Sequence, residues 1–133
     1  MQSFDSIVLI DDDPINNLIN KRLISKLEFN SEVEEYLEAE NALNAILETS
    51  SQKKLLILLD INMPVMNGWD FLKLYLEKCQ NRKDVIVMLS SSIDFQDRKK
   101  SEEYPCVSGF IEKPLTHKKL LEVLKTFDLK EKE

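Results

Sequence analysis

"LLILLDINMPVMNG", residues 55–68, sets a continuous apolar run against an abrupt polar stop. Five aliphatic residues in succession suit a strand buried on both faces, because a strand with one wet face would alternate apolar and polar positions. The run ends in Asp60, and Asn62, Pro64, Asn67 and Gly68 then mark a turn. A carboxylate at the end of such a strand is held on a rigid element yet stays open to a reaction partner. Pro64 sets one φ, while Gly68 permits either a positive φ or close backbone packing before the next helix.

The same strand-then-helix unit recurs on both sides of this stretch. "SIVLI" (6–10) is a β-branched apolar run stopped by acidic residues; Pro14 then suits a first helical turn, and Ile15, Leu18, Ile19, Leu23 and Leu27 follow at helical spacing. "EVEEYL" (32–37) alternates weakly and "ENALNAILE" (40–48) reads as a helix. After 55–60 come a helix over 69–78, a strand "VIVML" (85–89), a polar helix over 95–103 and a strand "VSGFIEK" (107–113). A closing helix covers 116–127, with Leu120, Leu121, Leu124 and Phe127 on its buried side. Five strands alternating with five helices predict right-handed crossovers and a doubly wound α/β fold, a parallel sheet covered on both faces. Ligands in such sheets sit beyond the carboxyl ends of the strands.

The 133 residues suit one domain, with a core over about 5–128 and a frayed lysine- and glutamate-rich tail at 129–133. With 43% hydrophobic and 32% charged residues the chain reads as globular, and its net charge of -6 argues against a general grip on nucleic acid or anionic lipid. Cys79 and Cys106 lack metal-ligand spacing and are expected as reduced thiols. Neither a leader pattern nor an apolar run of spanning length is present, so the expected location is the cytoplasm, without membrane insertion.

Chemistry is therefore sought at the strand ends. These carry Asp11, Asp12 and Asp13, then Asp60, Ser90, and Lys113 followed by Pro114. Carboxylates converging on one pocket repel one another unless a cation lies between them. Oxygen ligands favour Mg²⁺ over zinc and leave coordination positions for water and a phosphate oxygen. One aspartate can then attack phosphorus to give an aspartyl phosphate, while Lys113 neutralises the charge of the transferring group and Ser90 donates a hydrogen bond.

The stretches "VLIDDDP", "LLLDINMPVMNG", "VIVMLSSS" and "FIEKP" stand in the order and at the separations of a known family. Along nearly its whole length the chain resembles the receiver domain of two-component response regulators, of the chemotaxis-regulator kind. That resemblance implies a flavodoxin-like (βα)5 fold with strand order 2-1-3-4-5. It implies Asp60 as phosphoacceptor, Asp12 as a direct Mg²⁺ ligand, Asp11 acting through water, and the Asn62 backbone carbonyl as a further ligand. Ser90 becomes the hydroxyl switch residue, Phe110 the aromatic switch and Lys113 the phosphate-contacting lysine, with a Lys113–Pro114 bond resembling the family's cis peptide. The donor implied is a histidine kinase or histidine phosphotransfer protein, and the output is contact with a downstream protein, with no direct nucleic-acid binding. Such a domain is not an enzyme in the ordinary sense; it assists only its own phosphorylation and dephosphorylation.

Two rival readings use the same residues. A phosphatase resembling the haloacid dehalogenase group also needs an aspartate nucleophile, Mg²⁺, a hydroxyl and a lysine, but it places the nucleophile after its first core strand. A pseudo-receiver would bind protein without accepting phosphate, against which stands the intact set of Asp11, Asp12, Asp60, Ser90 and Lys113. Asp13 ranks second as a ligand, His117 reads as exposed or partner-facing, and Trp69 as a ring over the core. "KKSEEYPCVSG" departs from the usual Ala/Gly-rich approach to the fifth strand, so the fourth helix is expected to end early or to follow an unusual path. With no effector domain after Phe127, output through protein contact is expected, whether from a single-domain regulator, a relay intermediate or an excised receiver.

Overall fold

The structure is a computed structural model that describes residues 4–27, 31–91 and 94–132, with side chains described as far as residue 126. In chain order the elements are β1 (Ser6–Ile10), α1 (Pro14–Ser25), β2 (Glu32–Tyr36), α2 (Ala39–Glu48) and β3 (Leu55–Asp60). They continue with α3 (Gly68–Lys78), β4 (Val85–Ser90), α4 (Phe95–Ser101), β5 (Val107–Glu112) and α5 (His117–Lys132). The five strands form one parallel sheet in the order β2-β1-β3-β4-β5. No described helix is long and apolar enough to cross a membrane.

Period-two alternation along the strands divides the core into two layers. Val8, Ile10, Ile57, Leu59, Ile86 and Met88 pack with α2 and α3, whereas Ile7, Leu9, Leu56, Leu58, Val87 and Ile111 pack with Ile24 of α1 and with Leu120 and Leu124 of α5. All six residues of β3 and of β4 are buried, the five apolar ones of each strand as their unbroken run requires, with Asp60 and Ser90 buried at the ends. Continued to the strand ends, the alternation sends Asp11, Asp60 and Lys113 toward the α1/α5 layer. Ser90 and Phe110 fall on the α2/α3 side, and the two chemistries thus begin on opposite faces of one sheet edge.

Helix α1 departs from its sequence pattern. The apolar series does stand at helical spacing, yet Ile15, Leu18 and Ile19 are exposed, Leu23 and Leu27 pack partly buried against the core, and the buried positions are Asn17, Asn20 and Ile24. The Asn17 amide explains part of this inversion, since Nδ2 donates to the carbonyls of Asp11 (3.1 Å) and Tyr36 (3.3 Å) and so ties α1 to the ends of β1 and β2. Helix α4 ends at Ser101 rather than 103 and buries none of its residues, in line with the expectation that it would stop early. The backbone of α5 stays helical to Lys132, past the point at which fraying was expected. The burial expected of Phe127 lies outside the described side chains. The Lys113–Pro114 peptide is cis, and Cys79 and Cys106 are free thiols.

Far from the strands' carboxyl ends, a buried ionic knot ties β3, β4, α2 and α3 together. The Asp84 carboxylate accepts from Leu55 N (3.1 Å), Tyr75 Oη (2.7 Å) and Arg82 Nε (2.8 Å). The Arg82 guanidinium in turn donates to the carbonyls of Thr49, Ser50 and Lys53, covering the end of α2. Burial and the neighbouring Asp84 push the Tyr75 phenol well above the ordinary tyrosine range.

Candidate functional site

At the carboxyl end of β1 the ladder runs one step further, Asp11 N donating to Tyr36 O (3.1 Å). Its buried carboxylate accepts from Asp13 N (2.9 Å) and from Lys113 Nζ (3.1 Å). Asp13 caps α1, its Oδ1 accepting from Ile15 N at 2.9 Å, with Pro14 supplying a first position that needs no amide hydrogen. The second-rank ligand of the sequence thus has a structural occupation.

Asp60 ends β3 with only 4% of its surface exposed. The loop behind it is held tightly: Ile61 N donates to Leu89 O (3.0 Å) and Gly68 N to Ile61 O (2.8 Å). Gly68 has no positive φ; a Cβ there would stand 2.8 Å from Asp60 O and 2.9 Å from Ile61 Cα, so close backbone approach is what demands glycine. The positive φ belongs instead to Val65, at 68°, where Met66 N donates to Pro64 O (2.7 Å) across a three-residue turn. Asn67 caps α3 reciprocally with Asp70.

Lys113 Nζ sits 3.1 Å from Asp11 Oδ2 and 3.1 Å from Asp60 Oδ1, one ammonium shared by two buried carboxylates. Burial, followed by the charge of Asp11, raises the Asp60 pKa above the usual carboxylate range, against the opposing pull of Lys113 and a hydrogen bond from the Asn62 backbone. For Lys113, burial pulls downward, but bonding to Asp11 and the charges of Asp11 and Asp60 outweigh it and raise the pKa.

Asp12 is exposed, and oxygen atoms of Asp11, Asp12 and Asp60 lie within 4.8 Å of one another. An octahedral cation with oxygens at about 2.1 Å sets adjacent ligands about 3.0 Å apart and opposite ones about 4.2 Å apart, so two of these carboxylates could ligate a small hard divalent ion directly and the third reach it through water. One ammonium against three carboxylates leaves the pit negative, and every donor is oxygen. The residues present fit such an ion. Asn62 lies two residues beyond Asp60 on the same rim, with an exposed side chain.

Ser90 is buried at the end of β4, where its carbonyl accepts from Lys113 N (2.8 Å). Phe110 is half-buried and forms an aromatic cluster with Trp69, at 6.3 Å between centroids, and Tyr104, itself 5.7 Å from Trp69. Lys100 Nζ of α4 lies 5.1 Å from the Trp69 ring. His117, expected exposed or partner-facing, is exposed, and its Nε2 lies 3.1 Å from Leu23 O at the end of α1. The sequence reading missed Asn17 and Lys119, because a polar residue in a helix carries no mark of the carbonyls it will meet.

The profile of a family described as the response regulator receiver domain matches residues 7–125. Among solved structures, a two-component response regulator from Cytophaga hutchinsonii is 30% identical, with a TM-score of 0.80 over 95% of this chain and 98% of that one. A receiver protein from Dyadobacter fermentans shares the fold at 24% identity, with a TM-score of 0.82 over 92% of this chain and 97% of that one. A chemotaxis protein from Vibrio cholerae does so at 21%, with a TM-score of 0.78 over 94% of this chain and 99% of that one. No curated protein matches.

Proposed function

The chain belongs to the response regulator receiver domain family, and from that premise we propose that it is a phosphoacceptor switch in which Asp60 takes a phosphoryl group from a phosphohistidine donor. The observation that carries this reading is Lys113 Nζ at 3.1 Å from both Asp11 and Asp60, which joins the ends of β1, β3 and β5 in one reactive pit. Asp60 and Asp12 would ligate Mg²⁺ directly, with the Asn62 carbonyl, and Asp11 would act through water. When bound, the ion supplies neutralisation of the carboxylates and of the charge on the transferring phosphoryl oxygens.

The Asp60 carboxylate attacks phosphorus in line with the donor imidazole. A P–O bond to Asp60 forms as the P–N bond breaks, and the bonding pair leaves with the imidazole nitrogen. Lys113 stays within reach of the new phosphoryl oxygens and stabilises them. Ser90 donates its hydroxyl to the same group, and Phe110 turns inward from its half-buried position against Trp69 and Tyr104. This shifts an existing equilibrium in the surface made by α4, β5 and α5 and alters which protein it binds.

A protein donor suits the rim of the pit. Among the described residues, Ile15, Leu18, Ile19, Leu37, Val65 and Phe95 are exposed apolar side chains, and each follows the carboxyl end of a strand. Exposed apolar side chains on the elements that follow the strand ends fit a macromolecular partner better than a small phosphate ester. A cleft of about 310 Å³ lined by Asn16, Ile19, Asn20, Lys113 and Leu115 leads from that rim toward Lys113.

The test is incubation with phosphoramidate and Mg²⁺, followed by peptide mass spectrometry and measurement of released phosphate. One retained equivalent on the peptide containing Asp60, abolished in Asp60→Asn, is expected. Sustained turnover of phosphate would assign the residues to a phosphatase, and a label persisting in Asp60→Asn would remove Asp60 from its role.

A further inference from the structure

The ammonium of Lys113 must hold its place between two carboxylates at the end of a flexible four-carbon stem, so the backbone that carries it has to be fixed. On one side this is done by the sheet, Lys113 N donating to Ser90 O at 2.8 Å. Strand β5 is the sheet edge and ends at Glu112, so no further strand takes up the carbonyls that flank Lys113. A second lysine does. Lys119 Nζ donates to Glu112 O at 2.9 Å and to Pro114 O at 3.1 Å, the residues immediately before and after Lys113.

Lys119 is itself well seated. Its amide donates to Thr116 Oγ1 at 3.1 Å in the first turn of α5, and its neighbour Leu120 is fully buried against the sheet. Among the described residues its ammonium bonds these two carbonyls and pairs with no carboxylate, so a surface ion pair does not account for it. The clamp therefore joins the helix core directly to the turn that aims Lys113.

We infer that Lys119 is a positioning residue, which holds the backbone on both sides of Lys113 and so keeps the Lys113 ammonium directed at Asp11 and Asp60. Its consequence for phosphorylation rests on the assignment of Asp60 as acceptor. The positional claim does not, because it concerns the protein before any phosphate arrives.

The experiment compares Lys119→Ala, Lys119→Arg, Lys113→Ala and the Lys113→Ala/Lys119→Ala double variant in the full chain. In metal-free protein the Lys113 Nζ proton–nitrogen signal is expected to broaden or vanish in Lys119→Ala, with the backbone amide spectrum otherwise retained, and to return in Lys119→Arg, whose guanidinium also donates to two carbonyls. The rate of labelling by phosphoramidate should fall by about tenfold in Lys119→Ala, as a displaced reacting group requires. The double variant should be no slower than Lys113→Ala alone. A Lys119→Ala protein that keeps the Lys113 signal and labels within about twofold of the unaltered chain would overturn the inference. So would an effect that adds in full to that of Lys113→Ala. Should no variant, nor the unaltered chain, accept phosphate, the Nζ signal still decides the role of Lys119, and it is the acceptor assignment that fails.

Discussion

Replacing Gly68 by alanine tests whether the shape of the Asp60 loop is set by backbone contact. The new Cβ would lie 2.8 Å from Asp60 O, 2.9 Å from Ile61 Cα and 3.1 Å from Met88 Cε. Ordinary carbon contacts sit at about 3.5–4.0 Å, so two backbone atoms are overlapped by roughly 0.6 Å, and only the Met88 methyl can swing away. Either α3 retreats or the peptide carrying Asp60 moves. Overpacking of this kind costs about 1–3 kcal/mol, and the better helix propensity of alanine offsets at most about 1 kcal/mol of it. A net loss of about 1–2 kcal/mol lowers the urea midpoint by about 0.5–1 M at a slope near 2 kcal/mol per molar. Since a shift of about 1 Å at a reacting centre costs about a hundredfold, half that displacement should slow phosphoramidate labelling about tenfold. Urea unfolding followed by circular dichroism and labelling kinetics measure the two effects. Gly109→Ala is the comparison, because the three atoms nearest its Cβ all belong to the Val123 side chain, the first at 2.6 Å, so Val123→Ala should relieve it with little change in labelling. A Gly68→Ala protein with unchanged midpoint and labelling rate would refute the argument from close approach.

Asp84→Ala removes the acceptor of three donors in the buried knot and should cost about 3–5 kcal/mol, read as a lower urea midpoint; the folded protein should still retain one phosphoryl equivalent, and a loss of labelling at unchanged stability would contradict this separation. The raised pKa of Asp60 means that the folded carboxyl binds its proton more tightly than the unfolded one, so this group favours folding below its ordinary range and loses that contribution as pH rises through the folded value. In chelator, Asp60→Asn should therefore be more stable than the unaltered chain at neutral pH, with the gap closing on acidification; a gap that widens as pH falls would reverse the sign. Ile19→Glu places a charge on the exposed apolar rim and should slow transfer from a phosphohistidine protein by about tenfold while sparing phosphoramidate labelling, and an equal loss with both donors would argue for damage to the pit itself.

Much of the fold was legible because strands buried on both faces must be written in unbroken apolar residues, as "LLILLD" and "VIVML" are, and because a parallel sheet confines ligand chemistry to one edge. Local chemistry could thus place Asp11, Asp60 and Lys113 at strand ends. Helix α1 was less legible: of its aliphatic series Leu23 and Leu27 reach the core while Ile15, Leu18 and Ile19 do not, and the buried Asn17 donates to the carbonyls of Asp11 and Tyr36, which an aliphatic side chain could not do. Asp13 and Asp12 are identical letters in one triplet, and only the start of α1 makes the first a cap while the second remains beside Asp60.

The sequence by itself determined the alternation of elements, the two-layered core and the residue types at the reactive edge, because periodicity and burial are properties of short segments. Tertiary structure alone decided that Lys113 lies between Asp11 and Asp60, that Lys119 grips the turn around it, and that Gly68 is needed for proximity rather than for φ. Those facts depend on distances between residues far apart in the chain, which exist only once the sheet has brought its strand ends together.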